Sequence, residues 1–256
     1  MKIKYYLITG ITAFVVFLIA NTPAAFIVDT VKDKIPQVKI QNVSGSLWQG
    51  HAQQITVQSK YILKNVNWSV CASHLLMAEA CVEFDASYND NLVSGQLTVD
   101  SNKTLTANNL RTRISAQELG KLAALPMGEI AGDIYLDIAT LSLKQGGLPT
   151  AEGVIKWNKA SVTVAETADL GDIIVTLTQS EENPLNASIS NKGGQLAISG
   201  QASADDKANY NIDLKLTQNN KASKNLKDTL SLFAKAQKNG SFILTNKGNL
   251  KQLGLM

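Results

Sequence analysis

The chain has 256 residues, 24 basic against 21 acidic for a formal net charge of +3, and an apolar fraction of 45%. This length allows one or two domains with an ample core. The scattered, nearly balanced charge excludes the clustered Lys/Arg field that phosphate backbones require, so no nucleic-acid partner is expected. With five prolines and no long charge run, the body reads as globular rather than disordered.

The chain opens MKIKYYLITGITAFVVFLIANTPAAFIV. Lys2 and Lys4 precede an apolar run of roughly twenty residues, enough to cross a hydrocarbon core of about 30 Å. Residues 1–25 are therefore expected to be a short cytoplasmic end and a single membrane-spanning anchor. The positive-inside bias then places residues 26–256 on the far side of the membrane, outside the cytoplasm. The alternative is a cleaved secretory signal, for which Ala20, Thr22, Ala24 and Ala25 supply small residues.

Next comes VSGSLWQG, Val43 to Gly50, in which Leu47 and Trp48 stand between Gly45 and Gly50. Further along, VSGQLTVD, MGEIAGDIYL, AEGVIKWNKA and AISGQASA each set a glycine at or near the expected start of a strand. This is weak internal repetition, and recurrent glycine suggests bends or bulges where a sheet curls.

Cys71 and Cys81 are the only cysteines. An even count in an oxidising compartment suits a disulfide closing a short loop, with two buried thiols as the alternative. His74 lies between them, but two Cys and one His fall short of a zinc site.

From Pro36 onward, short alternating or apolar runs are separated by Gly, Asn, Asp and Ser. Strands are expected at Gln54 to Ser59, Cys81 to Tyr88, Val93 to Asp100, Gly132 to Leu143, Gly153 to Val164, Asp172 to Gln179, Leu185 to Ser190, Gln195 to Ala204 and Asn209 to Gln218. Hairpin turns are expected at Asn89 to Asn91, Lys192 to Gly194 and Asp205 to Lys207. Ser115-Ala-Gln-Glu118 is a capping box that opens a short helix stopped by Pro126, with Ile114 able to staple onto Leu119. A second helix is expected from about Lys224 to Lys238, with Leu226, Leu230, Phe233 and Ala234 on its apolar face and Asn239-Gly240 as its stop. A last strand, Ser241 to Thr245, precedes a loose tail. The fold class is thus mainly β: an elongated, curved antiparallel sheet with one N-terminal membrane helix and two short helices.

No catalytic, cofactor or metal site is expected. The two histidines, His51 and His74, stand in different contexts, and no GxSxG, HExxH or phosphate-loop motif occurs. Glu181-Glu182 and Asp205-Asp206 sit beside turn residues, while Asp133 and Asp137 read as the wet face of a strand. Trp48, Trp68 and Trp157 are expected to fill wide space under a curved sheet, each indole N–H finding a backbone acceptor. The alternative makes them the lining of an apolar groove for an acyl chain or a protein edge.

Four segments, VSGSLWQGHAQQITV, VNWSVCASHLLMAEACVEF, LPMGEIAGDIYLDIATL and GLPTAEGVIKWNKASVTV, are similar in that order to the pattern of the type II secretion system protein N family, GspN. Gly45, Leu47, Trp48, Gly50, Trp68, Gly153 and Trp157 carry the resemblance. It implies a non-enzymatic inner-membrane component that contacts other secretion proteins in the export of folded proteins across the outer membrane. A more distant similarity to AsmA-like proteins implies a curled sheet lining an apolar groove, and hence the alternative of periplasmic lipid binding or transfer.

Overall fold

A computed structural model describes residues 2–31, 34–122, 129–163, 166–180, 183–219, 226, 230–231 and 234–250. The chain forms two compact units, Met1–Ser101 and Asn102–Met256.

The first unit begins with α1 (Lys2–Ala20) and α2 (Ala24–Val31). From Lys4 to Ala20 every residue of α1 is exposed, so the helix packs on nothing in its own unit. Its 19 residues span about 28 Å at 1.5 Å per residue. The part beyond Lys4 spans only about 24 Å, and among the described residues no helix is long and apolar enough to cross a membrane. Its end is closed by polar side chains: the Asn21 amide donates to the carbonyl of Phe17 (2.8 Å) and the Thr22 hydroxyl to that of Leu18 (3.0 Å).

Five strands follow: β1 (Val38–Gly45), β2 (Gln49–Val57), β3 (Tyr61–Val70), β4 (Ala80–Tyr88) and β5 (Asn91–Val99). Each is antiparallel to its sequence neighbour. The β4–β5 turn places Asn89 and Asp90 both at positive φ, as a two-residue hairpin requires. Ala52, Val66 and Ala86 form the core, with Ile40, Val43, Ile55, Leu63 and Trp68 packed against them.

A slip in the alternation makes that core. In a regular strand residues two apart share a face, yet Ile40 and Val43 are three apart and share one, as do Ala52 and Ile55, and Leu63 and Val66. At each slip the ladder is interrupted, and the interruptions line up across β1, β2 and β3 at Asn42, Gln53 and Asn65. Asn42 and Asn65 have φ of 51° and 50°. Asn tolerates this left-handed conformation better than any other residue except glycine. Bending was expected from glycines at strand starts, but in this unit Asn-Val steps reset the pleat. Gly45 instead ends β1, and Gly95 lies inside β5.

The second unit contains β6 (Leu105–Ser115), α3 (Ala116–Leu122), β7 (Glu129–Leu143), β8 (Thr150–Thr163), β9 (Thr167–Thr178), β10 (Leu185–Lys192), β11 (Leu196–Ala204), β12 (Asn209–Gln218), β13 (Lys235–Ala236) and β14 (Ser241–Asn249). Its strands lie in sequence order as an antiparallel meander, except that β14 pairs with β12 and the two-residue β13 lies outside it. The register brings Ile134, Trp157 and Ile173 into one row, and Leu177, Ala187, Ala202 and Ile212 into another, so one face is apolar. The opposite face carries Ser188, Gln201 and Asp213 in register.

Leu148, in the β7–β8 connection, packs in one cluster with Ala204 and Ala208 of the β11–β12 connection. β8 and β11 are three strand spacings apart, about 14 Å on a flat sheet. The contact therefore requires this unit to curl.

Ser115 caps α3 as its sequence suggests, its hydroxyl accepting from the Glu118 N–H at 3.2 Å. The helix expected over 224–238 is corrected in part. Leu226, Leu230 and Ser231 are helical, but Lys235–Ala236 form a strand and Asn239-Gly240 turn the chain into β14. Leu230 and Ala234 still cover Leu216 and Phe242, the burial that the spacing demanded. The strands β1, β3 and β6 are not among those read from alternation, because each contains an Asn at left-handed φ that shifts its phase midway. Pro126, Met127, Glu181-Glu182, Phe233 and the tail beyond Leu250 lie outside the described residues.

Candidate functional site

The VSGSLWQG segment is the β1–β2 hairpin turn. Gly45 pairs with Gly50, and the loop between them is closed by Ser46 N–H to the Gln49 carbonyl (2.8 Å) and Gln49 N–H to the Ser46 hydroxyl (3.2 Å). Gly45 has φ +87°, and a Cβ there would lie 2.6 Å from the Gln49 carbonyl oxygen. A Cβ on Gly50 would stand 2.1 Å from the Trp68 ring. Only glycine leaves room for that indole on the neighbouring strand.

This turn holds the end of α1. Trp48 Nε1 donates to the carbonyl of Ile19 at 3.0 Å, Leu47 N–H donates to that of Thr22 at 2.9 Å, and Ser46 bridges to Pro23. On the other side, Val70 N–H donates to the Trp48 carbonyl (2.7 Å) and Trp68 Nε1 to that of Leu47 (3.2 Å). The box is thus a socket in which backbone groups of the turn are shared between a helix end and strand β3.

The second tryptophan box repeats the device. Trp157 Nε1 donates to the Ala131 carbonyl at 2.9 Å, and a Cβ on Gly132 would lie 2.9 Å from that nitrogen. Gly153 is set instead against the backbone of Asp137 and Ile138, at 2.6 Å from a would-be Cβ. Reading Gly153 and Trp157 as one motif missed Gly132, which lies on β7. The missed signal is the pairing of Trp68 and Trp157 with a glycine one strand earlier, Gly50 and Gly132.

Cys71 and Cys81 are joined by a disulfide, and Gln96 Nε2 lies 3.0 Å from the Cys81 sulfur. The enclosed loop forms a 3-10 turn (Ala72–Met77), ended by Ala78 at φ 57°. His74 Nδ1 lies 2.9 Å from Glu79 Oε2. His51 Nδ1 lies 2.8 Å from Asn67 Oδ1, and Asn67 donates to Asp85 Oδ2 at 2.8 Å. These polar ladders contain no nucleophile poised on a base.

Asp133 and Asp137 form exposed ion pairs with Arg113 (2.9 Å) and Arg111 (3.1 Å) across β6 and β7. The hydrogen bond and charge of Asp133 raise the Arg113 pKa further above its ordinary value. Asp205, in the β11–β12 turn, accepts from the side chain and backbone of Asn209 and from Lys207 N–H, and these bonds hold its pKa below the usual carboxylate range. Among the described residues no three His, Cys, Asp or Glu side chains are grouped to hold a metal ion.

Among the described residues, the second unit carries a concavity on each face of its sheet. One of about 360 Å³ lies on the apolar face, lined by Leu177, Leu185, Ala187, Ala204, Tyr210 and Ile212 among others. The other, about 750 Å³, lies over the polar face against Asn186, Ser188, Gln201, Ser203, Asn211 and Asp213. Its charged lining residues, Asp213 and Lys215, are both exposed and two residues apart on β12, and Asn211 donates to the Asp213 carboxylate at 2.7 Å.

The fold is a mainly β, antiparallel body whose first unit receives the end of an exposed apolar helix at a tryptophan-bearing turn. The chain belongs to the family of type II secretion system (T2SS), protein N, whose model matches residues 36–245. It is 22% identical over 260 residues to the type II secretion system protein N of Pectobacterium carotovorum subsp. carotovorum, an alignment covering 98% of this chain and 100% of that protein. No solved structure matches it. The resemblance read from the tryptophan and cysteine boxes and the family match agree.

Proposed function

We propose that this protein is an accessory or structural inner-membrane component of the type II secretion machinery, acting by protein binding. Its α1 helix sits in the inner membrane with Lys4 toward the cytoplasm, and both β units lie in the periplasm. The observation that carries this reading is α1 itself: Tyr5, Tyr6, Phe14 and Phe17 are between 61% and 75% exposed, an apolar surface that water would not support in isolation. A span slightly shorter than the hydrocarbon core is met by local thinning of the bilayer and by Lys4 reaching to the headgroups. The Cys71–Cys81 disulfide agrees with an oxidising compartment.

Contact with partners would be made at strand edges. β13 covers only Phe242 and Ile243 of β14, and the outer edge from Leu244 to Gly248 has no strand partner among the described residues. An added strand there gains main-chain hydrogen bonds without any dedicated pocket. The test is deletion of the gene with exoprotein export and outer-membrane permeability measured separately. Loss of export at unchanged permeability supports the reading, and unchanged export defeats it.

The apolar cavity of about 360 Å³ favours a second reading, AsmA-like lipid binding or transfer. In that case deletion disturbs permeability even without secretion substrates, and lipid co-purifies with the detergent-extracted protein.

A further inference from the structure

The two ends of the first β unit differ in chemistry. At one end the β2–β3 and β4–β5 connections carry Gln58, Ser59 and Lys60, and Asn89 and Asp90, all exposed and polar. At the other end the β1–β2 connection carries Leu47 and Trp48, and the β3–β4 connection carries Leu75, Leu76 and Met77, which are 47%, 92% and 63% exposed. A leucine left 92% exposed gains nothing from the fold that presents it.

That leucine is nevertheless held in place. The Cys71–Cys81 disulfide closes the base of its loop, Cys71 N–H donates to the Cys81 carbonyl (3.0 Å), Glu79 N–H donates to the His74 carbonyl (3.1 Å), and Ala78 reverses the chain at positive φ. The same end of the sheet receives the end of α1, through Trp48 on Ile19 and Leu47 on Thr22. The exposed turn and the last residues of α1 therefore sit at one end of the unit, with an indole between them of the kind enriched at membrane–water interfaces.

We propose that the Leu75–Met77 turn is a second membrane contact, inserting its apolar side chains into the outer headgroup layer of the bilayer that holds α1. The inference rests on the anchor reading above. A single helix crossing the bilayer leaves the body free to tilt against the membrane surface. A rigid apolar turn beside the exit point orients the first unit on the membrane, with its polar connections pointing away. The occupant is lipid rather than a protein groove because the turn lies at the same end of the unit as the end of a helix read as membrane-embedded.

The test uses the full chain reconstituted in vesicles of phosphatidylethanolamine and phosphatidylglycerol. Photoreactive benzoylphenylalanine is placed singly at Leu76, at Phe14 in α1 and at Asp90 at the far end. After irradiation the tryptic peptides are examined for phospholipid adducts, and retention of the Cys71–Cys81 bridge is confirmed in each variant. Lipid adducts at positions 76 and 14, with at least a tenfold lower yield at 90, are the expected result. An adduct at 14 without one at 76 overturns the proposal while leaving the anchor intact, and adducts at neither overturn both. Equal yields at 76 and 90 overturn the oriented contact, as does capture of a protein rather than lipid at position 76 in whole cells.

Discussion

Trp48 Nε1 donates a 3.0 Å hydrogen bond to the carbonyl of Ile19, 29 residues earlier in the chain. That carbonyl belongs to the last turn of α1, where it also accepts from the Thr22 N–H at 3.3 Å, so the indole supplies a second and shorter bond. The hairpin turn thus reinforces the helix end, and Trp48 sits where the exposed helix meets the strands. Replacing Trp48 by Phe keeps the ring and removes the donor, a net loss of about 1 kcal/mol. The expected sign is local: faster amide exchange at Leu47 and easier proteolysis after Ala20, with the β4–β5 hairpin unaffected. Unchanged exchange at Leu47 would show that the bond contributes nothing.

Gly50 and Trp68 should behave as one unit, because a Cβ on Gly50 falls 2.1 Å from the indole. Gly50→Ala is expected to lose about 2–3 kcal/mol in urea titration, as for an overpacked core. In a Trp68→Leu background the same substitution should cost markedly less, giving a coupling energy of about 1 kcal/mol or more in a double-mutant cycle. Additive losses would contradict the stacking.

Asn42 and Asn65 are predicted to tolerate glycine and to reject β-branched residues, since both adopt positive φ inside strands. Asn65→Val should destabilise the first unit by about 1–2 kcal/mol, and Asn65→Gly should fall within about 0.5 kcal/mol of the parent. Equal effects of the two variants would remove the phase-slip explanation for the core around Val66 and Ala86.

Reducing the Cys71–Cys81 bridge, or replacing both cysteines by Ser, is expected to lower stability by about 2–3 kcal/mol, the scale for a short loop. Exchange should rise first in Ala72–Met77, the turn that the bridge closes. A denaturation midpoint indifferent to reductant would show that the strands alone hold this loop.

The depressed pKa of Asp205 carries a definite sign. Its bonds to Asn209 and Lys207 stabilise the charged form in the fold. That contribution is present above the unfolded value, about 4, and is lost as the pH falls through the lower folded value. The carbon-detected titration of Asp205 should lie below the usual carboxylate range. The protection of the Asn209 amide relative to its intrinsic exchange rate should fall on acidification in the parent, and this fall should be absent in Asp205→Asn. A normal Asp205 titration would refute the turn geometry.

Much of this architecture was legible along the chain. Nine strand segments, the Asn89 to Asn91 turn and the Ser115 cap follow from period-two alternation and turn chemistry, which are local properties. The missed strands β1, β3 and β6 show where that logic stops. Each contains an Asn at left-handed φ, at Asn42, Asn65 and Asn109, so its apolar residues change phase midway and a two-residue periodicity sees a broken pattern. The segment 224–238 failed differently. Its spacing demanded burial of Leu230 and Ala234, which a helix followed by a short strand supplies equally well.

By itself the sequence determined an exposed apolar first helix, a strand-rich body and a cysteine pair able to close one loop, because each depends on composition or spacing within a few residues. The tertiary structure decided which glycine receives which indole, Gly50 under Trp68 and Gly132 under Trp157, and that the end of α1 is held by Trp48. It also decided that the second unit curls until Leu148 meets Ala204. These contacts join residues tens of positions apart, and their partners are set by strand register and twist. Register is a property of paired strands, and no single strand carries it.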